Sequence, residues 1–294
     1  MKCQCIYAVF GVYHLWMVAF LLSENNGGSD QMDFEFDNLR LSDFGCMICS
    51  FGSVEAETVS AGSQITFNTT PIYSGQKHIL TDTKYEECLS AEFDICKNMC
   101  DTLSKEFEYF TIDEQRDLMR WLNQKKFCQF RLITPGYEGI YFEGSFNVEV
   151  VRIGNHVLGF HLTLTTNRPF GLQDTKLWSF DLPTAGEYKI YDDSDEIGYV
   201  YADLSVTCLQ AGTLKIKNSL DDHAIQVANC SQGETINFKH PIISSSLASH
   251  KIMDDFNYNF PKIINTYKDR TNIFTFSLPC KCTISYNPIA KVGI

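Results

Sequence analysis

Short segments in which apolar and polar residues alternate recur along most of this chain. Two clear examples are FCQFRLIT at residues 127–134 and YEGIYFEGSFNVEVVRIG at residues 137–154. Because successive side chains of a β-strand point to opposite faces, this period of two is typical of strands with one buried face. Clusters of Gly, Ser, Asp and Thr separate the segments and mark turns. The pattern predicts a mainly β fold built from antiparallel sheets.

The length of the chain favours two domains. Its 294 residues are enough for two cores of ordinary size, and 44% of them are hydrophobic, which is typical of a chain that folds. The alternation breaks at Arg168-Pro169-Phe170-Gly171, where proline cannot extend a central strand. We therefore predict an N-terminal domain over residues 32–171 and a C-terminal domain over residues 172–294.

The N-terminal domain is predicted to be α+β with one main helix. Thr111 and Glu114 have the spacing of a capping box, and Lys125 and Lys126 suit the end of a helix. The predicted apolar face of this helix consists of Ile112, Leu118, Met119, Trp121 and Leu122.

The C-terminal domain shows no helical stretch. Strand-like runs recur at short intervals, and they read KLWSFDL, EYKIY, DLSVTCL, GTLKIKNS, AIQVANC, ETINF, FTFSL and KCTISYN. About eight short strands with turns between them predict an antiparallel β-sandwich or jelly roll.

Residues 1–31 stand apart from both domains. The run from Cys3 to Leu22 is apolar and long enough for a membrane anchor or signal segment. No small-residue cleavage pattern follows it, and Lys2 is the one flanking positive charge. Because the strand pattern begins just after Met32, we favour an upstream extension outside the first domain.

The charge of the chain argues against a role in reading nucleic acid. Asp and Glu outnumber Lys and Arg by 36 to 24, for a net charge of −12. No basic stripe is present that would neutralise phosphates, so specific nucleic-acid binding is not expected. An acidic surface would instead let a polyanion pass without sticking.

The twelve cysteines are predicted to be reduced. The chain is large and apolar enough to form a core without a disulfide framework. Three spacings resemble metal pairs, at Cys46 and Cys49, Cys96 and Cys100, and Cys280 and Cys282. None has the flanking residues of a zinc knuckle, so buried thiols are the expected state, with no metal or cofactor.

No arrangement predicts catalysis, and no catalytic residue is assigned. The seven histidines, at positions 14, 78, 156, 161, 223, 240 and 250, lack a metal-ligand spacing. Glu86-Glu87 and Asp113-Glu114 are adjacent pairs, whose side chains point apart. A nucleophile elbow, a phosphate loop and a dinucleotide fingerprint are absent.

Two binding hypotheses concern the C-terminal domain. The acidic run from Asp192 to Glu196 offers oxygen ligands for calcium, but it lacks the Gly and distal Glu of an EF-hand loop, so a plain acidic turn is favoured. Aromatic residues near the start of the domain would suit sugar stacking, although alternating aromatics in strands are more often core. These residues are Trp178, Tyr188, Tyr191, Tyr199 and Tyr201.

The order of these features resembles the distal tail proteins that form the baseplate hub of siphophages. Four stretches carry the resemblance: FEFDNLRLSDFGCMI at 34–48, the helix and strands at 111–170, the paired strands at 212–245, and the closing segment at 257–288. The sequence departs from the family pattern at Lys239, where Asp is usual, and at Arg270-Thr271-Asn272, where G-x-N is usual.

The resemblance implies a structural protein of the virion and no enzyme. In that family an N-terminal belt domain forms a hexameric ring, and a galectin-like sandwich follows it. The ring joins the tail tube to tail-tip and receptor-binding proteins, after assembly in the host cytoplasm. The rival hypothesis is an anchored or secreted β-sandwich adhesin that binds carbohydrate.

Overall fold

The chain divides into two compact units. The computed structural model describes residues 7–11, 14–18, 32–51, 62, 64–72, 75–98 and 108–294. Unit 1 comprises Met1–Gly171 and Lys291–Ile294, and unit 2 comprises Leu172–Ala290. The C-terminal end lies in unit 1, whereas the sequence pattern assigned it to the second domain. Tyr137 explains this, because its hydroxyl donates a hydrogen bond of 2.9 Å to the carbonyl of Gly293.

Unit 1 is a β-sheet covered by one long helix. Its elements are β1 Tyr7–Gly11, β2 His14–Val18, β3 Asp33–Phe36, β4 Leu39–Arg40, a 3-10 helix Leu41–Phe44, β5 Cys46–Cys49, β6 Ile65–Ile72, β7 Lys77–Tyr85, β8 Ser90–Lys97, α1 Ile112–Leu122, β9 Cys128–Ile133, β10 Ile140–Ile153 and β11 His156–Thr166. The sheet has the order β4-β3-β9-β10-β11-β8-β5, and each neighbouring pair is antiparallel. β1 pairs with β2, and β6 pairs with β7, each as a separate hairpin.

The predicted helix is confirmed, with two corrections. The capping box forms as predicted, because the Thr111 hydroxyl accepts from the Glu114 amide and the Glu114 carboxylate accepts from the Thr111 amide. The helix ends at Leu122, before the two lysines expected at its end. Ile112 is 68% exposed and does not belong to the buried face, because it lies in the first turn, away from the sheet core.

One face of the unit 1 sheet packs against α1 in an aromatic core. Leu118, Trp121 and Leu122 supply the buried face of the helix. Trp121 donates a hydrogen bond of 2.8 Å from Nε1 to the carbonyl of Phe36 and stacks on Phe44, with ring centroids 4.3 Å apart. Trp121 therefore joins α1 to β3 through a hydrogen bond and to the 3-10 helix through a ring contact.

Unit 2 is an antiparallel sandwich. Its elements are β12 Gly171–Gln173, β13 Lys176–Leu182, β14 Gly186–Tyr191, β15 Gly198–Tyr201, β16 Asp203–Cys208, β17 Gly212–Asn218, β18 Ala224–Cys230, β19 Thr235–Lys239, β20 Ile242–Ser245, α2 Ile252–Asp255, β21 Lys262–Asn265, β22 Thr271–Phe276, β23 Cys280–Tyr286 and β24 Ile289–Ala290. The sheets β13-β23-β16-β19-β20 and β14-β22-β17-β18 contribute to one apolar core, and β15 pairs with β21 separately.

All eight runs predicted for this domain form strands, but several elements were missed. These are the short strands β12, β15, β20, β21 and β24 and the one-turn helix α2. Each is four residues or shorter, which is too short for a period to be recognised. In unit 1 the alternation of apolar and polar residues gave no prediction of β7, because its residues are almost all exposed and so show no buried face.

Most of the predicted leader, residues 1–31, falls outside the described residues. The described part of it consists of β1 and β2, which pair from Tyr7 with Val18 to Gly11 with His14. Across the ranges that the structure describes, no helix is long and apolar enough to cross a membrane.

Candidate functional site: two exposed surfaces

An exposed two-stranded hairpin, β6 with β7, is the first candidate surface, and we call it the arm. Its strands run from Ile65 to Ile72 and from Lys77 to Tyr85, and nearly every residue in them is exposed. Neither strand pairs with the main sheet of unit 1. Among the described residues, the arm therefore has no buried face of the kind that normally supports a β-hairpin.

One face of the arm is apolar. Alternation puts Ile65, Phe67 and Thr69 of β6 on one face. Ile65 pairs with Tyr85, Phe67 with Thr83 and, beyond a register shift after Asn68, Thr69 with Leu80. Ile65 is 43% exposed, Phe67 62% and Leu80 53%. The arm thus presents Ile65, Phe67 and Leu80 to solvent on one face, and we call these side chains its apolar row.

The opposite face of the arm is mainly polar, although Ile79 lies on it opposite Thr70 and is 49% exposed. Asn68 lies opposite Asp82, and its side-chain amide is 3.5 Å from that carboxylate. Thr66 lies opposite Lys84 on the same face and bonds through its hydroxyl to Glu86. The arm is therefore amphipathic. The Gly75 turn between two runs rich in β-forming residues is the sequence signal that would have identified it.

The base of the arm is fixed to unit 1. Tyr85, the last residue of β7, packs edge to face on Phe170, with ring centroids 6.1 Å apart. The ammonium group of Lys291 lies 5.9 Å from the centroid of the Tyr85 ring. These contacts anchor one end of the arm, and within the described part of the chain the side chains of its apolar row are exposed.

The second candidate surface surrounds β15 in unit 2. Ile197 and Tyr199 are more than half exposed, and Tyr201 is 36% exposed. Beside them an open groove of about 530 Å³ is lined by Tyr199, Lys262, Ile264 and the loop from Leu220 to His223. Lys262 lies 3.7 Å from the Asp221 carboxylate and 4.8 Å from the centre of the Tyr199 ring.

The acidic run from Asp192 to Glu196 begins with residues that are buried and hydrogen-bonded within the fold. Asp192 and Ser194 are each 1% exposed. Oδ1 of Asp192 accepts hydrogen bonds from the Tyr286 hydroxyl, at 2.8 Å, and from the Ser194 hydroxyl, at 2.9 Å. The first carboxylate of the run is thus directed into the core. Within the described ranges, no group of three or more His, Cys, Asp or Glu residues has the geometry of a metal site.

The described histidine side chains do not form a common site. His161 bonds through Nδ1 to Asp94 at 2.8 Å, and this hydrogen bond raises the pKa of His161. His156 stacks on Tyr109, and His240 stacks on Tyr201. His250 contacts the carboxylates of Glu234 and Asp255. The sequence did not predict this cluster. His14 belongs to β2, and its side chain is not among those that the structure describes.

Three carboxylates of the two neighbouring pairs, Asp113, Glu114 and Glu86, have separate structural roles. Glu114 caps α1 and forms an ion pair of 2.8 Å with Lys97. Asp113 forms an exposed ion pair with Arg116. Glu86 accepts a hydrogen bond from Thr66 at the base of the arm.

None of the nine cysteines within the described residues forms a disulfide, and eight of them are buried. Cys280 and Cys282 share one face of β23, as predicted, with their sulfur atoms 3.4 Å apart. Burial raises the pKa of Cys46 to about 12, which keeps that thiol protonated.

The aromatic residues considered for sugar stacking do not gather into one platform. Trp178 stacks on Tyr286, and Tyr188 stacks on Phe180 at 3.8 Å, so both rings serve packing. Tyr199 and Tyr201 lie edge to face at the groove. Tyr191 lies on another strand, β14, and is 57% exposed.

Comparison with known proteins covers both units. The sequence matches the phage tail protein N-terminal domain over residues 29–168 and the phage tail C-terminal domain over residues 170–286. Among curated proteins there is no match.

One solved structure similar in fold is the Dit protein of phage SPP1, described as a paradigm of the hub adsorption apparatus in phages that infect Gram-positive bacteria. The identity is 10% and the TM-score 0.62, with 87% of this chain and 98% of that chain covered.

Proposed function

The chain belongs to the phage tail proteins that these two domains define and is a structural component of a phage tail, and from this premise we propose that it forms a closed ring at the distal end of the tail. The ring joins the tail tube to tail-tip and receptor-binding proteins. The protein acts without catalysis or a cofactor, and it assembles in the host cytoplasm before becoming part of the virion. Its belt domain is residues 32–171, and its galectin-like domain follows.

The observation that carries this proposal is the uncovered apolar row of the arm. An isolated two-stranded hairpin is marginally stable in water unless its apolar face packs against another element. Phe67 and Leu80 project from such a face with more than half of their surface exposed. We assign this exposed apolar face to a contact with another protein.

A second copy of this chain is the occupant that we assign to the apolar row. The base of the arm is anchored at Tyr85, so each copy carries the arm in a defined position on unit 1. A contact between an arm and a different surface of the next copy is heterologous, and such contacts close into a ring when the rotation allows. The resemblance to distal tail proteins supplies the number six.

Native mass spectrometry of the full chain tests the proposal. The wild-type chain at high concentration is expected to form hexamers, and the double variant Phe67→Ser and Leu80→Ser is expected to remain monomeric. Each apolar side chain contributes about 1.5–3 kcal/mol when buried, so the dissociation constant of each contact should rise at least about 100-fold.

The matched control lies on the polar face of the same hairpin. The double variant Asn68→Ser and Lys84→Ser alters two exposed side chains, and it should form rings like the wild type. Rings that persist in the apolar double variant would show that the arm is not the contact. A wild-type chain that stayed monomeric, bound no tail protein and bound a glycan array would favour an adhesin.

A further inference from the structure

β15 has one paired edge and one open edge. Ala202, just after this strand, donates its backbone N–H to the carbonyl of Pro261 at 3.0 Å. Hydrogen-bonded pairs alternate with non-bonded pairs in an antiparallel ladder. In the register of β15 with β21, Val200 and Gly198 therefore bond to β21, whereas the N–H and C=O groups of Tyr199 and Tyr201 point away from it.

The far edge of β21 shows what happens to such outward groups when they are covered. The side chain of Asn272 accepts from the Ile264 N–H at 2.8 Å and donates to the Ile264 carbonyl at 2.9 Å. Asn218 donates to the Lys262 carbonyl at 2.8 Å. Asparagine side chains thus occupy this edge in place of a third strand.

The outward backbone groups of Tyr199 and Tyr201 have no such partner among the residues that the structure describes. A side chain at Gly198 would also meet open space. An open strand edge is a template for pairing with another chain, and soluble proteins usually protect it with charge or proline. Here the edge instead carries two exposed tyrosines.

The charge beside this edge is not balanced. Lys262 pairs with Asp221, whereas Asp222 is exposed and forms no ion pair within the described part of the chain. Asp222 lines the groove next to Tyr199. A segment that lies along β15 therefore meets apolar rings and an uncompensated negative charge, which complements a segment with alternating apolar residues and a basic residue.

We propose that the open edge of β15 binds an extended, basic and apolar segment of another tail protein as an added β-strand. This inference rests on the proposed tail function. Backbone hydrogen bonds to Tyr199 and Tyr201 supply affinity, and cross-strand contacts with Ile197 and the tyrosine rings select apolar side chains. The groove receives side chains of the added strand on the side of Asp222.

The same geometry disfavours a glycan at this position. The Tyr201 ring stacks on His240 with centroids 3.7 Å apart, which covers one ring face. The ammonium of Lys262 lies over the Tyr199 ring. The unsatisfied groups that remain are backbone donors and acceptors, and an extended peptide matches their spacing.

Peptide binding to the full chain provides the test. The probe is the synthetic peptide acetyl-Lys-Val-Thr-Val-Thr-Val-Lys-amide, and amide hydrogen exchange at Tyr199 and Tyr201 is the readout. At a peptide concentration about ten times the dissociation constant, exchange at these amides should slow about tenfold. Two further peptides are each N-methylated on one of the two alternating sets of amides. They should differ in affinity for the chain, because only one set of amides faces β15.

Variants of the chain complete the test. Tyr199→Pro removes an outward N–H and should abolish binding; an edge strand tolerates such a proline. Tyr199→Lys should also abolish binding and serves as the alternative variant if proline perturbs folding. Tyr199→Phe keeps the ring and the backbone and should bind normally, whereas Asp222→Asn should weaken binding. Equal binding of both N-methylated peptides, or unchanged binding by Tyr199→Pro and Tyr199→Lys, would overturn the inference, as would the absence of any binding.

Ring assembly separates this inference from the proposed function. Tyr199→Pro and Tyr199→Lys should form the same hexamers as the wild type, because the arm lies in unit 1. If rings form but no strand binds, this inference alone fails. If rings do not form, the proposed function fails whatever the peptide does.

Discussion

Glu234 and His250 are joined by a contact of 2.5 Å between Oε1 and Nδ1 in the interior of unit 2. The side chain of Glu234 is fully buried, and that of His250 is 6% exposed. His250 also contacts Asp255 through Nε2 at 3.1 Å, and Glu234 accepts from the Ser231 amide and the Ser245 hydroxyl. This cluster ties the segment after β20 to the turn before β19.

The cluster makes stability depend on pH in both directions. Burial alone would lower the pKa of His250, but the hydrogen bond and charge of Glu234, together with Asp255, outweigh it and raise that pKa. The charged imidazole therefore stabilises the fold fully below its unfolded pKa of about 6.5, and this contribution is lost as pH rises through the folded value.

Burial also opposes the charge of Glu234, but hydrogen bonds from Ser245, Ser231 and His250 lower its pKa. This contribution is present above the unfolded pKa of Glu234 and is lost as pH falls through the folded value.

Replacing His250 should therefore destabilise unit 2 most near pH 6. His250→Gln leaves Glu234 buried without its charged partner, and we expect a loss of roughly 3 kcal/mol in the free energy of unfolding. The difference from the wild type should shrink above the folded pKa of His250. Urea unfolding followed by circular dichroism at several pH values measures this. His223→Gln, at an exposed histidine, is the control and should change little. A pH-independent difference would contradict the account.

Trp121→Phe should destabilise unit 1 by about 1–2 kcal/mol, because it removes the hydrogen bond to the Phe36 carbonyl and leaves an aromatic ring in place. The matched control is Trp178→Phe, at a half-buried tryptophan that stacks on Tyr286. Chemical unfolding followed by circular dichroism compares the two. Equal losses would mean that ring size, and not the hydrogen bond, determines the effect.

Gly159→Ala should destabilise unit 1 by about 3 kcal/mol or more, because a Cβ there would overlap the carbonyl oxygen of Ile95 and the ring of Phe51. Gly186→Ala is the control, since its Cβ would make ordinary contacts at 3.6 Å with Leu182 and Thr184. Thermal unfolding of both variants measures the effect. A melting temperature for Gly159→Ala equal to that of the wild type would refute the close packing of β11 on β8.

Cys88 should react with a maleimide much faster than the other described cysteines, because it alone among them is exposed. Peptide mass spectrometry after brief native labelling locates the modified sites, and Cys88→Ser should remove the fast labelling among the nine described cysteines. In denaturant all twelve cysteines should titrate as thiols. Fast labelling of Cys208 or Cys280 would contradict the closed core of unit 2.

The sequence by itself determined the elements that depend on local chemistry. The capping box of Thr111 and Glu114 uses residues three apart, and alternation within a run such as Lys176–Leu182 needs no partner to be recognised. These signals identified α1, most of the strands and the mainly β class. They did not identify α2 or β15, which are too short to show a period.

Only the tertiary structure decided which elements meet. His161 reaches Asp94 across 67 positions of sequence, and His250 reaches Glu234 across 16, because strand pairing and loop packing bring them together. The exposed apolar row of the arm and the open edge of β15 were likewise decided by the tertiary structure. Local sequence records which side chains can be buried, whereas what covers a surface, or leaves it open, depends on neighbours that are distant in the chain.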